Sequence, residues 1–205
     1  MIPARLFASV YDRMLAASEE AGLRERRREL LAQATGRVLE IGAGTGLNVE
    51  HYTDRATDLV FLEPERPMAE RLRARVVRGR VVEAPAESLP FPDGTFDTVV
   101  STLVLCTVRD LDRALDEIKR VLRPGGRLLL FEHVRSEDPG LARWQDRLHR
   151  PWRWIGRGCH CNRDTAAALV RHGFAVQIER TRLPKAAAIA KPAIVGVAEP
   201  AEAAA

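Results

Sequence analysis

The sequence predicts an α/β protein in which helices cover both faces of a mostly parallel sheet. Short apolar segments of about five or six residues alternate with helical segments of roughly 10–15 residues, which is the order found in βαβ units. The apolar segments contain few polar positions, as expected for strands covered on both sides. A length of 205 residues with 46% hydrophobic content suits one domain with a single core.

Each element has its own local signal. A helix is expected over 12–34, where leucines recur among arginines and glutamates before Gly36. Pro124-Gly125-Gly126 predicts the turn that leads into the fifth strand. Residues 199–205 have no apolar periodicity and are expected to form a flexible tail. The other helices are expected at 65–77, 110–122 and 163–172, and the strands at 37–41, 58–63, 81–82, 96–101, 127–132, 174–180 and 193–197.

The composition argues against several classes of protein. The 32 basic and 28 acidic residues are interspersed, so a net charge of +4 does not indicate nucleic-acid binding. No apolar run reaches the roughly 18 residues of a membrane span, and the N-terminus lacks the apolar core of a signal peptide. Three cysteines favour a reducing compartment over a disulfide framework. We therefore expect a cytoplasmic protein without a stable membrane anchor.

A glycine-rich loop, Gly42-Ala-Gly44-Thr-Gly46, directly follows the first strand. Glycines allow a ligand to approach the backbone closely, and a following helix offers unpaired N–H groups. The spacing is not the G-x-G-x-x-G of dinucleotide sites, and Glu40 would repel a pyrophosphate. A ligand with an ammonium, a sulfonium and no phosphate would tolerate that acid.

Glu63 lies at the end of the second strand, in the position from which a carboxylate accepts both hydroxyls of a ribose. The plainer interpretation is a solvated acid at the end of a strand. The agreement of strand, loop, spacing and acid favours the ribose contact.

Four segments carry a resemblance to a known family: VLEIGAGTGLN (38–48), VFLEP (60–64), APAESLPFPDGTFDTVVSTLVL (84–105) and VLRPGGRLLLFEHV (121–134). In these motifs the chain resembles class I S-adenosylmethionine-dependent methyltransferases. The resemblance implies a Rossmann-like, doubly wound sheet of seven strands, one of them antiparallel near the C-terminus. It also implies one domain, with an N-terminal helical lid (1–35), a cofactor-binding core (36–135) and a substrate cover (136–163).

The same resemblance implies which residues hold S-adenosyl-L-methionine, with S-adenosyl-L-homocysteine as the product. The loop would line its methionine part, Glu63 its ribose, and Tyr11 would belong to the lid. Many members have an adenine-binding aspartate where this chain has Pro85, which leaves Glu87 as the candidate for that contact. The expected cofactor-binding residues are Tyr11, Glu40, Gly42, Ala43, Gly44, Gly46, Asn48, Glu63, Pro64, Met68, Ala86, Glu87, Ser101, Thr102 and Leu103.

A narrower resemblance concerns the methyl acceptor. STLVLCTVRD (101–110), FEHV (131–134), GCHCNRDT (158–165) and HGF (172–174) are similar to methyltransferase-like proteins that methylate small alkyl thiols in animals. Those proteins carry an N-terminal membrane anchor. The resemblance implies S-methylation of a small thiol. The alternatives are O- or N-methylation of a small aromatic or apolar metabolite, and a non-catalytic cofactor-binding protein.

Three residues are candidates for acid–base catalysis. His133 follows the fifth strand, at the sheet edge where ligand crevices form, and Glu132 and His160 are the next candidates. A hydrogen-bonded structural role is the alternative for each histidine. Cys159-His160-Cys161 lacks the spacing of a metal site, and no metal is expected.

All three tryptophans (Trp144, Trp152 and Trp154) lie between the fifth and sixth strands. They either line a pocket for an apolar or aromatic substrate or pack a connecting helix onto the sheet. Six arginines between Arg143 and Arg163 favour an acidic substrate or only solvate the cover. We expect a small-molecule substrate, no nucleic acid, and a monomer or homodimer, because no motif of base-modifying enzymes follows the fourth strand.

Overall fold

The computed structural model describes residues 4–201 of the chain. The helices are α1 (Ala4–Ser18), α2 (Arg24–Leu31), α3 (Arg66–Arg75), α4 (Leu111–Val121), α5 (Pro139–Ile155) and α6 (Thr165–Arg171). The strands are β1 (Gly36–Ile41), β2 (Ala56–Leu62), β3 (Arg80–Val82), β4 (Phe96–Thr102), β5 (Leu122–His133), β6 (Phe174–Arg182) and β7 (Pro192–Pro200). Short 3-10 turns lie at Val49–His51 and Ala188–Ala190.

The seven strands form one sheet in the order β3-β2-β1-β4-β5-β7-β6. The first five pair in parallel, and β7 is antiparallel to both of its neighbours. The fold class predicted from the sequence is confirmed, including the antiparallel strand near the C-terminus. The strand order reverses between β1 and β4, where Ile41 pairs with Ser101, and ligand crevices of open α/β sheets form at such a point.

Apolar side chains point alternately to the two faces of the sheet. Val99 and Leu128 pack in a core that includes residues of α4 and α6. Their neighbours Val100 and Leu129 pack in a second core with α2 and with Leu72 of α3. This alternation explains why the strands are apolar along their whole length, since each face has its own layer of helices.

The N-terminal region differs from the single helix expected over 12–34. Helix α1 already begins at Ala4, so Tyr11 lies inside it, and a five-residue π-helical segment, Glu19–Leu23, separates it from α2. Gly22 has a φ of 116° at this point, a conformation that glycine adopts without a steric cost. Leucine periodicity on both sides of Gly22 hides this bend in the sequence.

The sequence analysis predicted no helix or strand between residues 132 and 163, and the structure has a long helix there. The segment rich in tryptophan and arginine forms the 17-residue helix α5, which Asp138 caps by accepting from the N–H of Leu141. Asp164 caps α6 in the same way. Strand β7 extends to Pro200, so Glu199 and Pro200 pair with β6 and do not belong to a tail. The remainder of that predicted tail, apart from Ala201, lies outside the described residues.

Within residues 4–201, no helix has both the length and the hydrophobicity needed to cross a bilayer.

Candidate functional site

The glycine loop after β1 adopts a conformation that requires its glycines. Gly42, Gly44 and Gly46 have φ values of 56°, 60° and 91°. A Cβ atom on Gly42 would lie 2.6 Å from both methyl groups of Val104, so the loop packs against the segment after β4. A Cβ atom built on Gly44 would lie 3.9 Å from its nearest neighbour, a ring carbon of Tyr11. This part of the loop is therefore open to a ligand.

Glu63 connects this loop to the end of β2. One carboxylate oxygen accepts from the N–H of Gly44 at 2.9 Å, and the other accepts from the N–H of Glu65 at 2.8 Å. The side chain is buried, and this burial raises its pKa above the usual range of a glutamate. Each oxygen has a second lone pair with which it could accept a ribose hydroxyl.

A small polar cavity lies beneath the loop, and Arg27 and Glu40 both face it. Asn48 lies between these opposite charges. Its Oδ1 accepts from Arg27 at 2.9 Å, and its Nδ2 donates to Glu40 at 2.9 Å and to Thr102 Oγ1 at 2.7 Å. The lining residues are Tyr11, Arg27, Glu40, Gly42, Ala43, Gly44, Thr45, Leu47, Asn48 and Thr102.

The charges of this cavity complement an α-amino acid group. Glu40 is buried, which raises its pKa to about 7 even though Tyr52 and Asn48 donate to it. Arg27 is buried too, and its Nε also donates to Glu19 at 3.0 Å. A cation and an anion on one cavity match the carboxylate and ammonium of methionine, so the residues present fit the methionine end of S-adenosylmethionine.

Helix α1 closes this cavity from outside the sheet. Asp12 accepts from Thr45 Oγ1 at 2.5 Å and from Arg75 at 2.5 Å, which joins α1 to the glycine loop and to α3. Tyr11 lies against the cavity, and burial raises its pKa to about 12, so the phenol stays neutral. The lid expected for residues 1–35 stays a prediction.

A second contact lies beside the lid. The guanidinium of Arg157, which follows α5, stacks over the ring of Phe7 at 4.9 Å and pairs with Glu65. The N-terminal helix, the segment after β2 and the segment after α5 therefore meet at one point.

The resemblance implies that Pro64, Met68 and Ala86 lie near the adenine, and this stays a prediction. Met68 and Ala86 are buried, whereas Pro64 is exposed. The expected adenine contact of Glu87 is not supported: its Oε1 accepts from the N–H groups of Arg109 at 2.8 Å and Asp110 at 3.5 Å. This carboxylate thus holds the turn before α4.

Glu132 is a scaffold residue, and its expected acid–base role is not supported. It is fully buried, and its Oε1 accepts from Ser101 Oγ at 2.6 Å and from the N–H of Val104 at 3.0 Å. Its Oε2 accepts from the N–H of Cys106 at 3.2 Å. These contacts tie the carboxylate to the end of β4 and to the segment after it, and neither Glu132 nor Ser101 lines the cavity beneath the loop.

The segment that Glu132 holds contains a strained residue. Leu103 has a φ of 60°, which is uncommon for a side chain branched at Cγ, and its N–H donates to Phe131 at 2.8 Å. Such conformations cluster at functional sites. Together with Thr102, which lines the cavity, Leu103 continues the cofactor side of the site towards the end of β5.

The structure separates the two histidine candidates. His133 is buried at the end of β5, its Nδ1 lies 3.8 Å from the sulfur of Cys159, and its Nε2 has no partner among the described residues. His160 instead pairs with His149 of α5 at 2.9 Å. Burial, with Arg163 and Arg153 nearby, lowers the pKa of His160 to about 4, so its ring is neutral. His160 is not among the residues that line the cavity.

The tryptophans have different roles. Trp144 and Trp154 are 55% and 61% exposed on α5, whereas Trp152 packs against the three cysteines. No ion pair involving Arg143, Arg147, Arg150 or Arg153 occurs in the described part of the chain. These arginines are exposed on α5, and Arg143 and Arg147 line an open cavity there together with Trp144.

Arg27, Asp12 and Cys159 are site residues that the sequence analysis missed. Arg27 had a detectable signal, because it lies four residues after Leu23 and four before Leu31, on the buried face of its helix. No local signal marks the other two. Among the described residues, no group of three or more metal-binding side chains is present.

The chain is similar to known methyltransferases. A family model described as a methyltransferase domain matches residues 39–130. The chain is 36% identical over 181 residues to thiol S-methyltransferase TMT1B of Homo sapiens, covering 79% of this chain and 73% of that protein. It is 31% identical over 144 residues to the uncharacterized methyltransferase YcgJ of Bacillus subtilis, covering 68% of this chain and 56% of that protein.

A solved structure extends the likeness to the whole chain. A protein of Thermotoga maritima described as a possible histamine N-methyltransferase superposes with a TM-score of 0.70 at 25% identity, covering 95% of both chains. The fold and the site define an enzyme that binds a sulfonium nucleoside at the carboxyl edge of a doubly wound sheet. The chain belongs to the S-adenosylmethionine-dependent methyltransferases, and S-adenosylmethionine is its cofactor.

Proposed function

We propose that this enzyme methylates the sulfur of a small thiol. The observation that carries the proposal is the 36% identity to a thiol S-methyltransferase, which spans 181 residues and so extends well beyond the 39–130 that match the methyltransferase domain. The end of β5, with His133, and the segments after β4 and α5, with Leu103 and Cys159, are the proposed acceptor side of the site.

The chain's own residues place the methyl donor. Arg27 and Glu40 would bind the amino acid group of S-adenosylmethionine, the glycine loop would line its methionine part, and Glu63 would accept from its ribose. S-adenosylmethionine, when bound, supplies a methyl group already activated by a positively charged sulfur. The remaining requirement is alignment of the acceptor, which by itself removes much of the barrier.

His133 is the proposed general base. The support for this role is its unpartnered Nε2, a buried hydrogen-bonding atom at the carboxyl end of β5 that is free to accept a proton. A thiol needs little help, since part of it is ionised near neutral pH. A phenol or amine of higher pKa needs a general base more than a thiol does. The presence of His133 therefore favours a second candidate function, methylation of a phenol or amine.

The test is a panel of small thiols, phenols and amines incubated with the purified chain and methyl-labelled S-adenosylmethionine. We expect the label mainly on thiols, with a smaller yield on acidic phenols. Label confined to phenols or amines would overturn the thiol assignment and leave the enzyme class intact. Calorimetry with S-adenosylmethionine distinguishes a third case, because binding without transfer to any acceptor indicates a non-catalytic cofactor-binding protein.

A further inference from the structure

The three cysteines form a buried group of their own, separate from the two cores of the sheet. Cys106 follows β4, and Cys159 and Cys161 follow α5. The side chains of Trp152 and Ile189 pack against all three. His133, at the end of β5, lies at the edge of this group.

The sulfur of Cys159 faces a ring nitrogen, because Nδ1 of His133 lies 3.8 Å away, within hydrogen-bonding distance of a sulfur. Cys106 and Trp152 lie in the same buried cluster, and both interact with Cys159 electrostatically. The indole N–H of Trp152 has no hydrogen-bond partner within residues 4–201. A cysteine sulfur can accept a hydrogen bond from such groups, and it accepts best as a thiolate.

The electrostatics agree with this arrangement. Cys106, followed by His133 and Trp152, lowers the pKa of Cys159 against the opposing effect of burial. The interaction with Cys159 and burial raise the pKa of Cys106. The proton therefore stays on Cys106, and the guanidinium of Arg163 lies close enough to favour the negative charge.

We propose that Cys159 is a positioning residue for His133: its sulfur holds the imidazole with the proton on Nδ1 and leaves the Nε2 lone pair for the methyl acceptor. This inference rests on the proposed function, because it assigns the group that acts through the general base. An anion plays the same part when a buried aspartate orients the histidine of a Ser-His-Asp triad.

The arrangement also accounts for the fate of the proton. When the acceptor gives its proton to Nε2, His133 becomes an imidazolium beside a thiolate, and the two charges attract in a buried site. The proton then leaves to solvent and the neutral tautomer is restored. No bond to Cys159 forms or breaks, so no oxidant or reductant is required.

Cys161 provides a matched control. It is fully buried in the same cluster, two residues from Cys159, and burial raises its pKa to about 12, so it remains a thiol. None of its side-chain contacts within residues 4–201 involves His133. A purely structural role for Cys159 predicts that C159A and C161A behave alike.

The first experiment measures kcat and KM against pH for wild type, C159A, C159S and C161A, with the best acceptor from the panel. We expect C159A to lower kcat at least about tenfold, in the range of general-base effects, with KM and cofactor affinity nearly unchanged. C159S should recover part of the loss at high pH only. C161A should stay within about twofold of wild type. Equal profiles for C159A and C161A would overturn the proposal.

A second measurement keeps the proposal testable if no acceptor is methylated. Nitrogen-15 NMR of the full chain reports which ring nitrogen of His133 carries the proton, with H133Q assigning the signal. We expect protonated Nδ1 in wild type and C161A, and a mixture of tautomers in C159A. Absorbance near 240 nm should show one thiolate at pH 7 in wild type and none in C159S. A wild-type His133 protonated on Nε2 would contradict the inference, whatever the activity.

Discussion

Glu63 accepts a hydrogen bond at 2.9 Å from the backbone N–H of Gly44, so the acid after β2 and the glycine loop after β1 are held together by one side chain. Two motifs that lie 19 residues apart in the chain thereby act as one surface. The lone pairs of Glu63 that face away from Gly44 remain for the ribose.

Glu63→Ala should weaken binding of S-adenosylmethionine about 10- to 100-fold, because hydrogen bonds to a charged group are each worth about 1.5–3 kcal/mol. Calorimetry gives the Kd. Glu70→Ala, which removes an exposed acid of α3, is the control and should leave the Kd unchanged. Equal affinities for the two variants would exclude Glu63 from the cofactor site.

Arg27→Met should destabilise the protein by about 3–5 kcal/mol, the usual effect of removing one partner of a buried ion pair. Arg27 and Glu19 are only 4% and 7% exposed, so the carboxylate would be left buried and unpaired. The free energy of unfolding in urea measures this loss. Arg28→Ala should change it by less than about 0.5 kcal/mol, since that pair is exposed. A small effect at Arg27 would mean that water reaches Glu19.

Glu40 should make stability depend on pH. Its pKa is raised from 4.5 to about 7 in the folded protein, so the folded state favours the protonated acid. The stability it contributes is present below about pH 4.5 and is lost as the pH rises to about 7, by roughly 3 kcal/mol. Urea unfolding of wild type and Glu40→Gln between pH 4.5 and 8 isolates this effect. The free energy of unfolding of the variant should increase relative to that of wild type as the pH rises. A difference that stays constant with pH would contradict the burial of Glu40 as an acid.

Cofactor binding should show the opposite trend. An ammonium group binds an ionised Glu40 best, so the affinity of wild type for S-adenosylmethionine should rise between about pH 6 and 8. Glu40→Gln should lack this rise. Calorimetry at several pH values provides the measurement, and a rise retained in the variant would assign it to another group.

Glu132→Gln should retain the pH profile of kcat, because the carboxylate supports the segment after β4 and does not exchange protons with the acceptor. Glu132→Ala should lose about 2–4 kcal/mol of unfolding free energy, since it leaves buried donors without an acceptor. Pre-steady-state kinetics and urea unfolding separate the two effects. Loss of turnover in Glu132→Gln with normal stability and cofactor affinity would restore an acid–base role to this residue.

The sequence alone determined the sheet, the glycine loop and the acid after β2, because each depends on local signals: apolar runs, turn residues and short spacings. It did not reveal the bend at Gly22, since glycine is tolerated within a helix and only packing against the sheet selects a φ of 116° there. Arg27 had a weak signal in its spacing from Leu23 and Leu31, but the run of arginines around it resembles a solvated face.

Only the tertiary structure distinguishes the three candidates for acid–base catalysis. In the sequence, Glu132 and His160 were candidates on the same local grounds as His133. The structure distinguishes the three residues. Glu132 accepts a hydrogen bond from Ser101, His160 pairs with His149 of α5, and Nε2 of His133 has no partner among the described residues. The contact between His133 and Cys159 joins segments 26 residues apart. Local propensity does not encode such a contact, because it joins the end of β5 to the segment after α5 and exists only in the folded chain.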